Sequence, residues 1–308
     1  MDRVLAERFI DKSIQRKIWK EQGVESLAFE VFDDPSPALE YIINSKIDLI
    51  VKPCISSGSR GVQKIASKSH NALSTHLSNA FHHSKSNQII LEQYIQGTEF
   101  IIEVFFNNEA LNILAILQKN KVPNTDNTVA SELFTPDISE ELFLNIAHKI
   151  RDAYIALGYK NGPGHAEIII DEMKNIHLVE VAARGGGFLV YDTFVPKISN
   201  INLPLLSIKA ACGDSINDLK IEKKYGLLSF IPTEVGILKS YSGFEEVNMI
   251  PGVEADFFGH IGRKYSLPST DGDRIGYVMV VGAELNAAWA TLEKCKKIIQ
   301  VKYLYENH

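Results

Sequence analysis

The chain reads Gly-Pro-Gly-His-Ala-Glu-Ile-Ile-Ile over residues 162–170 and Ile-His-Leu-Val-Glu-Val-Ala-Ala-Arg over residues 176–184. The aliphatic runs predict two strands, and the polar residues before and including Asn175 predict a hairpin turn between them. Each strand carries one glutamate among aliphatic neighbours, Glu167 on the first and Glu180 on the second. In an antiparallel hairpin, two such positions can lie side by side on one face.

Two carboxylates that are forced together among aliphatic side chains repel each other. Glu167 and Glu180 become tolerable neighbours if a divalent cation lies between them, and Mg²⁺ that also bridges substrate phosphates fits their oxygen ligands. The alternative is that both glutamates point to solvent from a half-exposed sheet. Arg184 follows the second strand and could steady a phosphoryl group or an anionic intermediate beside such a cation.

A second segment, Val51-Lys-Pro-Cys-Ile-Ser-Ser-Gly-Ser-Arg-Gly61, places a lysine at the end of a predicted strand and a Ser/Gly loop after it. Lys52 could supply a cation, and the loop could supply clustered backbone N–H groups that hold a phosphate. A plain surface turn is equally open. The segment is not a P-loop, because it lacks Gly-Lys-Ser/Thr.

The third segment, residues 89–100, predicts a strand that ends near Glu92 and leads through Gly97 into a second strand. Taken alone this pattern is weak, because acidic residues at strand ends are commonly solvated.

Composition excludes several classes of protein. The 308 residues correspond to about two domains at roughly 150 residues each. Hydrophobic residues make up 45%, which excludes a wholly disordered chain, and no apolar run approaches a membrane helix in length. The net charge of −6 argues against non-specific nucleic-acid binding. Three scattered cysteines and the absence of a signal peptide favour a cytoplasmic protein.

Strand-like and helix-like segments alternate, which favours an α/β or α+β architecture. Apolar spacing predicts one amphipathic helix over residues 3–22, which ends at Gly23. Residues 118–138 are polar and contain two prolines, and we expect a long functional or mobile loop there. Ser139 is expected to cap a helix that runs to residue 157.

Together the three segments resemble the ATP-grasp superfamily, in order and in spacing, over residues from about 10 to 240. The resemblance implies an α+β ATP-grasp fold, in which two α+β subdomains sandwich ATP, followed by a C-terminal α/β extension. It divides the chain into residues 1–90, residues 91–230 with the adenine hinge and magnesium site, and residues 231–308.

The resemblance also implies a role for each matching residue. The residues expected to contact phosphate are the two lysines, the flexible loop and the late arginine: Lys12, Lys52, Ser57, Gly58, Ser59, Gly61 and Arg184. The residues expected to bind the nucleoside form an adenine hinge, a ribose contact and an adenine floor: Glu92, Gln93, Ile95, Glu99 and Ile169. Glu167 and Glu180 are expected to bind magnesium.

One departure points to a branch of the superfamily. Ala182 stands where the usual Glu-x-Asn-x-Arg pattern has asparagine, so one metal ligand is missing. A similar alanine, and a similar Gly-Pro-x-His-x-Glu stretch, occur in the branch that resembles bacterial L-amino-acid (dipeptide) ligases. His165 is then expected to face the substrate, and a hydrogen-bonded strand-end histidine is the alternative. Arg274 resembles a late position that could hold a substrate carboxylate, and a surface ion pair is its alternative.

A second departure is the position of Lys12 almost at the start of the sequence. Family members usually carry an N-terminal α/β domain before this lysine, so a truncated chain, a separate chain that supplies the domain, and loss of the domain are all open. Residues 118–138 and 253–276 could shape the acceptor site.

The resemblance implies an enzyme that uses ATP and Mg²⁺ to join a carboxylate and an amine, with ADP and an acyl phosphate formed on the way. Amino acids are the expected substrates. A carboxylation or purine-pathway ligase and an incomplete nucleotide-binding regulatory subunit remain alternatives. Small-molecule substrates are expected as partners, with neither nucleic acid nor membrane, and a homodimer or a domain-supplying chain is open.

Overall fold

The structure is a computed structural model that describes residues 2–66, 69–122, 129–214, 216, 219–268, 270 and 272–305. Helix and strand contribute in similar measure, which confirms the expected mixed α+β class. Among the residues that the structure describes, every helix falls short of the length and apolar character that a membrane span requires.

The helices differ in length from about one turn to almost five turns and in the way in which they begin. They are α1 (Arg3–Ile10), α2 (Lys12–Glu21), α3 (Pro35–Asn44), α4 (His70–His83), α5 (Glu140–Ala156), α6 (Val195–Ser199), α7 (Leu203–Cys212), α8 (Phe244–Asn248) and α9 (Leu285–Ile298). A π-helical turn, Val190–Phe194, immediately precedes α6.

The strands pair antiparallel wherever their register is defined. They are β1 (Phe29–Phe32), β2 (Leu49–Pro53), β3 (Gln63–Lys64), β4 (Ile89–Gln93), β5 (Thr98–Asn107), β6 (Ala110–Lys121), β7 (Ala130–Phe134), β8 (Gly162–Ile170), β9 (Ile176–Ala182), β10 (Tyr225–Pro232), β11 (Gly236–Ser242), β12 (Val253–Phe257), β13 (Lys264–Tyr265), β14 (Arg274–Gly282) and β15 (Gln300–Leu304).

The chain forms two compact units. The first contains the residues up to Ile113 together with Ile138–Gly185, and the second contains residues 114–122, Val129–Asp137 and the chain from Gly186 onward. All sequence-predicted ATP and metal residues belong to the first unit, and Arg274 belongs to the second. The three-part division expected from the sequence remains a prediction.

The first unit contains two groups of strands. One is a sheet of order β1-β4-β2-β3, which buries Ile42, Val51, Leu77 and Leu91 against α3 and α4. The other consists of β5, β8 and β9 as antiparallel neighbours in that order, and this group carries most of the candidate site.

The second unit also contains two groups of strands. One has the order β12-β14-β10-β7-β6, and helices α8 and α9 cover it through a core that includes Leu227, Val247, Val278 and Leu292. The other is the small sheet β13-β11-β15.

The predicted helix over residues 3–22 is wrong in one respect, because two helices occupy this segment. Asp11 has extended backbone angles and its carboxylate accepts hydrogen bonds from the N–H groups of Ser13 and Ile14. It therefore ends α1 and caps α2. The apolar period continues through the break, so the sequence pattern alone does not reveal it.

The predicted long loop over residues 118–138 is also wrong in part. Strand β6 continues to Lys121, and β7 pairs with it from Ala130 onward. Residues 123–128 lie outside the described part of the chain. The expected helix after Ser139 is confirmed as α5, with the Ser139 hydroxyl accepting from the N–H of Leu142.

Candidate active site

The centre of the candidate site is the hairpin of β8 and β9. Glu167 and Glu180 are direct cross-strand partners, so their side chains lie on one face. The register shifts immediately beyond them, because Ile168 pairs with Leu178 and leaves one extra residue on β9. Such a bulge re-aims neighbouring side chains. Both glutamates keep part of their side chains accessible, 27% and 23%.

The same face continues along β5 and β8. Glu99 pairs with Ile169, Ile101 pairs with Glu167, and Glu103 pairs with His165. The predicted ribose contact and adenine floor therefore lie one step along the face from the glutamate pair. Because antiparallel partners point to the same side of a sheet, the register groups residues that are far apart in sequence.

Lys12 joins this face from helix α2. Its Nζ lies 2.8 Å from Glu180 Oε2 and donates a long hydrogen bond of 3.4 Å to the carbonyl of Ser56. Burial alone would lower the pKa of Lys12, but Glu180, with Glu167 and Glu92, raises it above its ordinary value. Lys12 is therefore a permanent cation between the glutamate pair and the start of the Ser/Gly loop.

Lys52 and Glu92 belong to a buried ion cluster. Lys52 Nζ lies 2.6 Å from Glu92 Oε2, and the guanidinium of Arg16 contacts both oxygens of Glu92, at 2.7 and 3.1 Å. Burial would raise the pKa of Glu92, but Arg16 and Lys52 lower it to about 2. The side chain of Glu92 thus fixes two cations, and its expected role at the adenine hinge involves backbone groups.

The hinge itself lies close to the predicted adenine floor. A Cβ atom on Gly97 would meet Ile169 Cγ2 at 2.7 Å and would also collide with the Ile170 carbonyl. Only glycine allows this approach. The segment that follows Gln93 and Ile95 is thereby brought against β8.

The predicted phosphate loop follows β2 in an exposed turn. Ser59 and Gly61 both have left-handed backbone angles, with φ of 59° and 73°. A Cβ on Gly61 would also meet Pro53 Cγ at 2.9 Å, so glycine is required there for two reasons. Arg60 donates to the carbonyl and hydroxyl of Ser57 and orders the turn.

Helix α2 covers the outer edge of β9 with side chains that the sequence did not single out. The Gln15 amide donates to the Val181 carbonyl at 2.8 Å and accepts from the Val181 N–H at 3.1 Å. Arg16 donates to the carbonyls of Leu178 and Val179, the bulged part of the strand. These bonds replace a neighbouring strand and hold Glu180 in place.

His165 lies between two carboxylates. Its Nδ1 is 2.5 Å from Glu103 Oε1, and its Nε2 is 3.4 Å from Glu167 Oε1. Burial would lower the pKa of His165, but Glu103 and Glu167 raise it to about 10. The Tyr154 hydroxyl lies 3.0 Å from the carbonyls of both His165 and Ala182 and bridges β8 and β9 at this point.

Arg184 follows β9 and is exposed, with Nη1 donating to the carbonyl of Gly185 at 2.7 Å. Its expected contact with phosphate stays a prediction.

The second unit contains a pocket of about 430 Å³ around Arg274. The guanidinium carbon of Arg274 lies 3.6 Å from the ring centre of Phe230 and 5.2 Å from that of Phe188. Arg263, Lys264 and Asp273 contribute further charge to the lining. A guanidinium that lies over an aromatic ring keeps its charge and its planar set of donors, which suits a planar anion such as a carboxylate.

Sequence reasoning missed Gln15, Arg16 and Glu103. Glu103 had a usable signal, because a single carboxylate inside the apolar run 100–106 is uncommon unless it is paired. Gln15 and Arg16 had no such signal in the sequence, because their hydrogen-bond partners are backbone groups and a distant glutamate.

Comparison with known protein families agrees with this geometry. The ATP-grasp domain model matches residues 45–192, and the model of L-amino acid ligase C-terminal domain 2 matches residues 229–303. The chain therefore contains a region that is similar to ATP-grasp domains. Its C-terminal region carries the domain found in L-amino acid ligases, which confirms the branch that the sequence resembled.

Individual relatives are distant. The large chain of carbamoyl phosphate synthase from Clostridium botulinum is 22% identical over 173 residues, which are 56% of this chain and 15% of that protein. The L-amino acid ligase structure from Bacillus licheniformis has a TM-score of 0.82 at 22% identity, over 98% of this chain and 74% of that one.

A third relative is the biotin carboxylase domain dimer of 2-oxoglutarate carboxylase from Hydrogenobacter thermophilus, solved with MgADP and bicarbonate. Its TM-score is 0.73 at 16% identity, over 97% of this chain and 68% of that one. At these identities the structures show the fold. The expected enzyme class, an ATP-dependent and ADP-forming C–N ligase, agrees with the family matches.

Proposed function

We propose that this chain is a carboxylate–amine ligase that uses ATP and Mg²⁺ and joins amino acids through an acyl phosphate. The observation that carries the proposal is the single face of β5, β8 and β9, on which Glu99, Ile169, Glu167 and Glu180 follow one another. Lys12 adds a cation to this face, as a nucleoside triphosphate with its metal requires.

The residues fit Mg²⁺ by the chemistry of their donors. Mg²⁺ is usually held by one or two carboxylates together with substrate phosphates and water. Glu167 and Glu180 supply two such carboxylates on adjacent strands. Among the described residues, no group of three or more His, Cys, Asp or Glu side chains is placed so that it could hold a metal ion by itself.

Each residue then has a role toward the nucleotide. The backbone of Glu92, Gln93 and Ile95 would bind the adenine edge, Ile169 would lie under the ring, and Glu99 would bind the ribose. The loop Ser57, Gly58, Ser59 and Gly61 would cover the phosphates with N–H groups. Lys12, Lys52 and Arg184 would neutralise the charge that develops on the transferred phosphoryl group.

The reaction itself has two steps. A carboxylate oxygen of the first substrate attacks the γ-phosphorus, the bond to the β–γ bridging oxygen breaks, and ADP leaves with that electron pair. The amine of the second substrate attacks the acyl carbon, phosphate leaves, and the nitrogen releases a proton. Glu167 and Glu180 would hold Mg²⁺, which would neutralise charge on the phosphates, and the protein would position the substrates.

Arg274 supports amino acids as substrates. Its guanidinium is held by Phe230 and Phe188 in a pocket with further cations, so the pocket favours a carboxylate. His165 was expected to face the substrate as well. It is only 6% exposed, and its ring contacts Glu103 and Glu167.

Release of ADP and phosphate from Mg·ATP with pooled amino acids, pool against pool, tests the proposal. We expect release that needs two amino acids and is lost in Glu180→Gln. Glu172→Gln is the matched control, because Glu172 is an exposed carboxylate in the turn of the same hairpin. Release with bicarbonate in place of an amino acid would favour a carboxylating ligase. No release with nucleotide bound would favour a regulatory module.

A further inference from the structure

Glu103 is a carboxylate in the interior of the first unit with no role in the proposed nucleotide site. It lies in the middle of β5 with 0% exposure, between buried Ile102 and Val104. A buried carboxylate is costly unless it is hydrogen-bonded or paired. Glu103 Oε1 meets this need through His165 Nδ1.

The bond to Glu103 also determines where the other side of the imidazole points. A histidine ring is rigid, so a bond at Nδ1 fixes the direction of Nε2. Here Nε2 faces Glu167 Oε1. The three side chains form one connected row, because Glu103 pairs with His165 across β5 and β8, and Glu167 is two residues further along β8.

The surroundings of His165 restrict its movement. Its cross-strand partner on β9 is Ala182, a small residue that leaves room for the ring. The Tyr154 hydroxyl ties the backbone carbonyls of these two residues together. A Cβ on the neighbouring Gly164 would meet the Tyr154 ring carbon Cζ at 2.8 Å, so the strand is packed tightly at this point.

We propose that Glu103 and His165 are positioning residues, in which Glu103 orients the His165 imidazole and the imidazole holds the Glu167 carboxylate in the orientation that binds the metal–nucleotide complex. This inference rests on the proposed function, because it assigns the groups behind one of its metal ligands. Groups of this kind behind metal ligands commonly change metal affinity by tenfold to a hundredfold.

A merely structural role for the pair predicts a different outcome. The pair would then stabilise the fold, and its loss would lower the free energy of unfolding without affecting metal binding in the folded protein. The affinity for the metal–nucleotide complex therefore separates the two roles, provided that each variant is shown to be folded.

The test is the dissociation constant of Mn²⁺ with saturating ADP, measured by electron paramagnetic resonance of free Mn²⁺ on the full chain. Glu103→Leu removes the acceptor at similar volume, and Glu103→Gln keeps an acceptor oxygen. His165→Asn keeps a group that can reach Glu103 but loses Nε2, and it serves if Glu103→Leu does not fold. Asp171→Asn is the matched control, because Asp171 pairs with His177 on the same hairpin.

We expect Glu103→Leu and His165→Asn each to raise this dissociation constant by about tenfold to a hundredfold. Glu103→Gln and Asp171→Asn should stay close to wild type, and ADP binding in EDTA should be unchanged in all variants. The double variant Glu103→Leu/His165→Asn should bind Mn²⁺ no more weakly than His165→Asn alone, since both residues act through the same contact with Glu167.

Wild-type Mn²⁺ affinity in folded His165→Asn or folded Glu103→Leu would overturn the inference while leaving the metal site intact. If Glu180→Gln also leaves Mn²⁺ binding at the wild-type value, the metal site itself is wrong, and the proposed function fails with the inference.

Discussion

At the scale of single residues, Glu92 shows how the first unit holds a charge in its interior. The side chain is almost fully buried, and Arg16 and Lys52 compensate it from two different elements. Removing one member of such a cluster leaves a buried charge without compensation, which typically costs about 3–5 kcal/mol. The cluster fixes Lys52, the cation that we assign to the phosphates.

The pKa of Glu92 makes this contribution depend on pH. Its folded value of about 2 lies below its ordinary value of 4.5. A group whose pKa is lowered by folding stabilises the folded state above the ordinary pKa, and this stability is lost as the pH falls through the folded pKa. The shift corresponds to about 3 kcal/mol, which should disappear between about pH 4.5 and pH 2.

We therefore predict that Glu92→Gln lowers the free energy of unfolding by about 3–5 kcal/mol near neutral pH. The difference from wild type should shrink as the pH falls from 4.5 to 2, because Glu92 of the unfolded wild-type chain is protonated first and folded Glu92 loses its charge only near its pKa of about 2. Guanidinium unfolding at a series of pH values measures it, with Glu172→Gln as control. A difference that stays constant down to the lowest accessible pH would contradict the account of Glu92.

At this scale the sequence predicts a contact where a residue type stands out from its neighbours. The glutamate of each hairpin strand stands out among aliphatic neighbours, and the register places Glu167 opposite Glu180. The sequence does not predict contacts between residues that are far apart in the chain, because nothing near Arg16 in sequence indicates Glu92 or the carbonyl of Val179.

At the scale of elements, the position of β9 depends on helix α2. The Gln15 amide forms two hydrogen bonds with Val181, one residue from Glu180. Among the described residues β9 is the last strand of its sheet, so these bonds satisfy backbone groups at a sheet edge. Buried backbone groups that lose their partner cost about 1–3 kcal/mol each.

We predict that Gln15→Leu lowers the free energy of unfolding by about 2–6 kcal/mol, because two backbone groups of Val181 lose their partner. Hydrogen exchange at the Val181 amide should become faster than at amides of α5. Gln22→Leu is the matched control, since Gln22 is exposed at the end of the same helix. Unchanged stability and unchanged Val181 exchange in Gln15→Leu would show that the helix does not hold the strand.

The pattern of the sequence also explains which elements it predicts well. Hairpin β8–β9 and helix α5 have clear turn and cap signals, and both occur as expected. The break at Asp11 has a cap signal too, but the apolar spacing on either side hides it. Polar residues 118–121 lie in a strand because cross-strand pairing with β7 outweighs composition.

At the scale of the whole molecule, the order of motifs along the chain carried more information than any one motif. Three weak segments in family order predicted the ATP-grasp class, and the family matches over residues 45–192 and 229–303 confirm it. Substrate identity does not follow from this order, because ligases with different acceptors share the ATP motifs.

The division into two units predicts that nucleotide and acceptor binding can be altered separately. Arg274 lies in the second unit, and every residue assigned to ATP lies in the first. Arg274→Lys keeps the charge but loses the planar fork that stacks on Phe230. We expect the KM of one amino acid to rise by at least about tenfold, from the loss of a charge-assisted bond of roughly 1.5–3 kcal/mol.

The affinity for ADP is the internal control for this variant, and it should equal that of wild type. A changed ADP affinity with unchanged KM values for both amino acids would remove Arg274 from the acceptor site.

The central claim, that a substrate carboxylate attacks ATP, is tested most directly by following oxygen. The amino acids identified in the pooled assay are supplied with ¹⁸O in the carboxylate, and the released phosphate is analysed by mass spectrometry. Attack on the γ-phosphorus moves a carboxylate oxygen to phosphate when the amide forms, so we predict one ¹⁸O in each phosphate and no release in Glu180→Gln. Amide formation with unlabelled phosphate would contradict the claim.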